Sequence, residues 1–179
     1  MSAGSPRPLA SEGPRVAQFY ISVVVRTDPV ALDDARQLFE AYGAWLGDLV
    51  GTTTLPAEIA TLPAPFEAPS GVLLLARDDA GRAVGVVGVR EHSGVACEIK
   101  RLFVREDARG HGLGRALARA GLDHARVLGY KECYLTSLPD SMPGALRMYR
   151  SLGFEYTEAF RDFSHVREGV RLVFMRRPL

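Results

Sequence analysis

The run Arg109-Gly110-His111-Gly112-Leu113-Gly114, followed by Arg115, has residue types and a spacing suited to holding an anion. Glycines at alternate positions remove side chains where the chain enters a helix, and they tolerate the positive φ such a turn needs. The first N–H groups of a helix have no internal partner, and the helix dipole adds partial positive charge there. Backbone donors, close approach and two flanking arginines together make a site for phosphate or pyrophosphate.

The motif detail narrows the ligand. A dinucleotide fold uses G-x-G-x-x-G and an acidic residue about twenty positions on, at the end of the next strand. Here the glycines are spaced G-x-G-x-G, and the next strand ends in Thr136-Ser137. That argues against a nucleotide-cofactor enzyme of this kind. The P-loop pattern G-x-x-x-x-G-K-[ST] is absent.

The elements around the run must position it. Cys97 to Val104 reads as a strand, with Ile99, Leu102, Phe103 and Val104 giving it β-branched and aromatic character. A helix is expected from Gly112 to about Leu128, with Leu113, Leu117, Ala120, His124 and Leu128 near one face and Gly129 as its stop. Upstream, Phe19–Arg26 reads as a strand. Asp28 and Pro29 then open a helix to Leu46 that carries Leu32, Ala35, Leu38, Phe39, Tyr42 and Trp45 on one face. Prolines 56, 63, 65 and 69 leave room only for a short helix near Ala57–Thr61. Gly71–Arg77 and Ala83–Arg90 form a hairpin that delivers the chain to the central strand. Gly85 and Gly88 mark a bulge or a close backbone approach. Glu132–Ser137 follows by a right-handed crossover and is therefore expected to be parallel to the central strand. A helix from Pro143 to Leu152 and strands at Phe154–Glu158 and Val170–Arg176 complete the order β-α-α-β-β-β-α-β-α-β-β, an α/β fold with a mixed sheet.

The run resembles the acyl-CoA loop of the GNAT N-acetyltransferase superfamily, [QR]-x-x-G-x-[GA], through Arg109, Gly112 and Gly114. Leu146-Arg147-Met148-Tyr149-Arg150-Ser151-Leu152-Gly153-Phe154 resembles a second signature, in which a tyrosine lies four residues before Gly-Phe. Cys97-Glu98-Ile99-Lys100-Arg101-Leu102 is similar to a GNAT subgroup with a glutamate on this strand. The likeness runs from about Val23 to Met175. It implies the acyl-CoA N-acyltransferase fold, with a splayed central pair of parallel strands whose slot holds the pantetheine arm.

The activity implied is acetyl transfer from acetyl-CoA to a primary amine of a small molecule or peptide, by direct attack. A non-catalytic acyl-CoA-binding or sensing domain on the same fold is the alternative, because fold does not fix function. An alkylammonium, with a pKa of ~10.4, must lose a proton before it attacks, and a leaving thiolate benefits from a donor. The resemblance implies Tyr149 as that acid and Glu98 as the base, with an ion pair to Lys100 or Arg90 as the other reading of Glu98. Lys100 and Arg101 read as exposed strand cations, or else as receivers of an acceptor carboxylate. Cofactor contacts are expected from Leu102, Phe103 and Val104, from Arg109, Gly110, His111, Gly112, Leu113, Gly114 and Arg115, and from the hydroxyls of Ser137 and Ser141. A backbone N–H near Phe103 or Val104 is the expected donor to the thioester oxygen. The segment after the first helix, with Tyr42, Trp45 and residues 47–70, is expected to shape the acceptor pocket together with residues 160–169. The sequence departs from the family where many relatives carry an asparagine and the subgroup an Asp-Thr pair; here stand Thr136-Ser137 and Leu138-Pro139-Asp140.

Composition fits this reading. A chain of 179 residues, 47% hydrophobic and 24% charged, suggests one domain with enough length for a real core. A net charge of +1 gives no general attraction to nucleic acid or anionic membrane. Two cysteines, Cys97 and Cys133, make no disulfide framework and no metal-ligand spacing appears, so acetyl-CoA is expected without a metal. Residues 1–18, rich in Ser, Gly, Pro and Ala, read as a flexible tail ahead of a domain at 19–179. With no membrane-spanning run or signal-peptide core, a cytoplasmic location is expected. A homodimer through the last strands is a family trait carried only by the resemblance.

Overall fold

The computed structural model describes residues 15–16, 18–47, 54–162, 166 and 168–179. Expectations for residues 1–14 and 17, for residues 48–53 and for His165 lie outside these.

The described residues build an eight-stranded mixed sheet in the order β1-β2-β3-β4-β5-β6-β8-β7. The strands are β1 (Arg15–Val16), β2 (Phe19–Val23), β3 (Val72–Asp78), β4 (Ala83–Ser93), β5 (Ala96–Val104), β6 (Glu132–Ser137), β7 (Glu155–Thr157) and β8 (Val173–Pro178). The helices are α1 (Pro29–Leu46), α2 (Leu55–Thr61), α3 (Leu113–Val127) and α4 (Pro143–Ser151). All neighbours pair antiparallel except β5 and β6, which are parallel. The short edge strand β1 pairs with β2 ahead of the boundary that composition placed at residue 18. The strand expected from Val170 starts at Val173, and β4 runs on to Ser93.

Local chemistry explains the helix ends. Asp28 Oδ1 accepts from Ala31 N at 2.9 Å, and Pro29 occupies the first turn of α1. Gly129, at φ +90°, follows α3 in the left-handed region that ends a helix without Cβ strain.

Two apolar cores lie on opposite faces of the sheet. On one, Leu74, Val87, Cys97, Ile99 and Leu135 pack against Leu113, Leu117 and Leu122 of α3 and Tyr149 and Leu152 at α4. On the other, Leu73, Leu75, Val86 and Phe103 pack against Ala35, Leu38 and Phe39 of α1, with Leu55 and Phe66. β3 reads Val-Leu-Leu-Leu-Ala without alternation because both its faces are covered. Close approach explains the glycines of β4: a Cβ on Gly88 would stand 2.5 Å from the Phe66 ring, and one on Gly85 would stand 2.9 Å from Leu117.

Candidate active site

The site begins where the sheet stops being regular. β5 and β6 pair only at Ala96–Glu132, Cys97–Cys133 and Glu98–Tyr134. Beyond these the two strands diverge and leave a slot. On the other side of β5 the register with β4 jumps from Gly88–Lys100 to Val86–Phe103, so Arg101 and Leu102 stand opposite Val87 alone. This is a β-bulge, and Arg101 takes φ +56°, which is rare for a residue with a side chain.

The bulge decides which side chains reach the site. Cys97 and Ile99 face the α3 core, and after the bulge Leu102 packs there again. Lys100 and Arg101, although consecutive, both reach Glu58 of α2 on the opposite face. Strand alternation alone would have sent them to opposite sides.

Two buried carboxylates organise the charges. Glu98, 1% exposed, accepts from Arg90 Nε and Nη2 at 3.2 and 3.1 Å on Oε2. It also accepts from Arg161 Nη1 at 3.0 Å on Oε2 and from Arg161 Nη2 at 2.7 Å on Oε1. Glu58, 6% exposed, accepts from Lys100 Nζ at 3.2 Å and from Arg101 Nε at 2.7 Å. Arg101 also donates to Thr54 Oγ1 at 3.0 Å, and its guanidinium lies 5.9 Å from the centre of the Tyr42 ring. These contacts hold Arg101 in its left-handed conformation.

The electrostatics follow from burial and neighbours. The Lys100 side chain is 8% exposed, and burial brings its ammonium down to about 8, opposed by the charges of Glu98 and Glu58. Burial alone would push Glu58 up, but the hydrogen bond and charge of Arg101, with those of Lys100, outweigh it and hold Glu58 below the ordinary carboxylate range. Burial pushes the Tyr42 phenol up, against the pull of Arg101. Tyr149 is 7% exposed, its ring edge-on to Phe154 at 5.6 Å, and burial pushes its phenol well above the usual range. At neutral pH it keeps its proton.

These groups surround one pocket of about 120 Å³. Tyr42 and Leu46 of α1, Glu98 to Leu102 of β5, Thr136 and Ser137 of β6, Tyr149 of α4, and Arg161, Val166 and Leu172 line it. The expected acid and the expected base therefore meet at one cavity with the slot. Thr136 Oγ1 and Ser137 Oγ are buried there without a hydrogen-bond partner among the described residues. A buried hydroxyl left so is expected to find a partner in a ligand or water.

The glycine run forms the turn into α3. Gly110 and Gly112 take φ +85° and +77°, and Gly112 is the N-cap, with no side chain capping the first turn. Its donors are thus left for a ligand. Beside it a concavity of about 300 Å³ is lined by Gly112, Arg115 and Arg119. Arg115 Nη1 donates to Ser151 Oγ at 3.0 Å, which holds it toward α4. Arg109 Nε donates to Val104 O at 3.0 Å, and its guanidinium lies over the rings of Trp45 and Phe103 at 5.6 and 5.9 Å. Trp45 is exposed and lies outside the pocket lining, unlike Tyr42. His111 is exposed, 6.2 Å from the Phe19 ring. Ser141 sits in the turn before α4, outside the pocket lining.

Slot, unpaired hydroxyls and uncapped helix end fit an extended ligand with polar groups along its arm and phosphate at its end. Glu58 and Arg161 lie within the segments expected to shape the acceptor pocket, but nothing in the sequence singles either of them out. Neither lies in a motif, and their partners are 42 to 63 residues away. Reading Lys100 and Arg101 as exposed is corrected by the bulge, which buries both.

Among the described residues no group of three His, Cys, Asp or Glu could hold a metal, and no helix is long and apolar enough to cross a membrane.

Comparison with known proteins adds to this geometry. The profile of the acetyltransferase (GNAT) family matches residues 34–154. An uncharacterized N-acetyltransferase of Schizosaccharomyces pombe is 35% identical over 141 residues, covering 78% of this chain and 86% of the relative. The mycothiol acetyltransferase of Actinosynnema mirum is 38% identical over 86 residues, 48% of this chain but 29% of that protein. Among solved structures, a GNAT family acetyltransferase from Elizabethkingia anophelis with acetyl-CoA bound superposes with a TM-score of 0.65 at 19% identity, over 91% of this chain and 99% of that one.

Proposed function

The chain belongs to the GNAT acetyltransferase family, and we propose that it moves the acetyl group of acetyl-CoA to the primary amine of a small molecule, bound in the pocket between the β5 bulge and Arg161. One observation carries this reading. A single cavity of about 120 Å³ joins the slot between β5 and β6 to Tyr149 and to the cluster of buried charges. Its place between buried side chains of α1, β5, β6 and α4 suits a small molecule better than a protein surface.

Acetyl-CoA supplies an acetyl group activated as a thioester. The N–H groups of the turn at Gly110–Gly114 and the first turn of α3 are assigned to its phosphates, with Arg115 beside them. Thr136 Oγ1 and Ser137 Oγ are assigned to its arm, each gaining the partner it lacks. Tyr149 holds a proton at Oη in a buried setting and is assigned as the donor to the leaving sulfur. A backbone N–H at Phe103 or Val104, past the bulge, is assigned to the carbonyl oxygen.

Glu98 fits the role of base less well. Its oxygens accept four guanidinium hydrogen bonds, which leaves little capacity for a substrate proton. The arrangement supports the ion-pair reading, with Glu98 fixing Arg90 and Arg161 against the pocket. Loss of the amine proton is favoured by the cations themselves, because nearby like charges disfavour the ammonium form.

The test is a mass-spectrometric screen in which the protein and acetyl-CoA meet pooled small primary amines in one arm and amine-bearing peptides in the other. The reading expects a gain of one acetyl group in the small-molecule arm. Acetylated peptides, with no small amine modified, would refute it.

A further inference from the structure

Among the described residues around the pocket, cations outnumber carboxylates. Lys100, Arg101 and Arg161 line it with one carboxylate, Glu98. Glu58 and Arg90 stand behind them. Among the described residues this makes four cations to two carboxylates, with side-chain exposures between 2% and 29%. Charges drawn out of water are costly unless matched by opposite charge and hydrogen bonds. The two carboxylates are each shared among cations rather than paired one to one. Arg90 reaches both, at 3.1 Å from Glu98 and 3.9 Å from Glu58.

We propose that the acceptor carries a carboxylate, and that Lys100, Arg101 and Arg161 form the subsite that receives it while its amine faces Tyr149. The acceptor class is thus an amino acid or a related amine bearing an acid group. This rests on the reading of the pocket as the acceptor site. Guanidinium groups suit this task because their planar N–H forks match a carboxylate geometrically. Glu98 and Glu58 hold the receiving side chains in place beforehand, so little ordering is needed when the ligand enters. Burial of the lysine points the same way: its ammonium, brought down to about 8, would be stabilised by an incoming anion.

The experiment separates this inference from catalysis. N-acetyl-glycine, N-acetyl-L-aspartate, N-acetyl-L-methionine and N-acetyl-L-phenylalanine are titrated calorimetrically into the full chain, each beside its carboxamide. These probes keep the carboxylate but cannot be acetylated at nitrogen in the ordinary way. At least one acid is expected to bind ten-fold or more tightly than its amide, and Arg161→Gln is expected to shrink that preference toward one. Lys100→Met is the second variant, and the acid-against-amide contrast in the wild type needs no variant at all. Equal or weaker binding of every acid relative to its amide would overturn the proposal, as would a preference left intact in both variants. If acids bind preferentially but no small amine is ever acetylated, the carboxylate subsite stands and the reading of the acceptor as a small amine falls.

Discussion

The turn at Arg109–Gly114 and the charge cluster around Glu98 and Glu58 both suit anions, by opposite means. At the turn, the donors are backbone N–H groups, shaped by glycines at φ +85° and +77° within one short run of chain. In the pocket, the donors are side chains from β4, β5 and the segment after β7, brought together by a bulge and by buried carboxylates on α2 and β5. A backbone site costs little to hold and is indifferent to pH. A side-chain site must keep several charges out of water, so its stability, its protonation and its ligand preference are tied together.

The largest effect that would test this contrast is on Glu98. Replacing it with alanine leaves Arg90 and Arg161 facing each other without their shared acceptor, and breaking a buried pair costs about 3 kcal/mol or more. In a chain of this size that lowers the melting temperature by roughly ten degrees. If Glu98 were only a base, kcat would fall with the melting temperature unchanged. Next comes Tyr149→Phe, expected to lower kcat roughly a hundred-fold, as loss of a general acid does, while acetyl-CoA binding by calorimetry stays as in the wild type.

Lys100 gives a pH test. Its folded value of about 8 lies below its ordinary 10.5, so between these pH values the unfolded chain holds the proton more often than the folded one. Stability therefore rises with pH across that window, as the burden of a buried ammonium is relieved. Each pH unit is worth about 1.4 kcal/mol at most, and sharing with Glu58 and Arg101 leaves a gain on the order of 2 kcal/mol. Lys100→Met should abolish that slope in denaturant titrations run across the window, and a slope surviving in the variant would assign the titration elsewhere. The smallest effect is at the turn. Gly112→Ala places a Cβ at φ +77°, at about 1 kcal/mol, and should weaken acetyl-CoA up to ten-fold without touching the acid-over-amide preference of the pocket.

The same contrast explains what can be read in the chain. The turn is legible because its chemistry is local: glycine spacing, flanking arginines and the helix that follows. The cap at Asp28-Pro29 and the strand at Glu132–Ser137 are legible for similar reasons, since short-range preferences and pattern agree there. Residues of the pocket are legible only in part. Tyr149 and Glu98 stand in family-like signatures, but neither arginine on Glu98 does. Arg161 pairs with it from 63 residues away, and no local pattern records such a pairing. The failure at Lys100 and Arg101 has a sharper cause. Alternation assumes an unbroken strand, and nothing in Lys-Arg-Leu announces a positive φ at an arginine. That conformation is set by Glu58 and Thr54, so it belongs to the folded whole.

The most direct test of acyl transfer in this pocket is thiol release from acetyl-CoA in the presence of small carboxylate-bearing primary amines. It is measured on the wild type and on Tyr149→Phe, with acetyl-CoA binding followed in parallel. The expected result is one thiol released per amine acetylated by the wild type, and roughly a hundredth of that rate from the variant at equal acetyl-CoA affinity. Acetyl-CoA bound by both proteins, with no thiol released by either for any amine, would contradict this and leave a domain that binds the donor without using it.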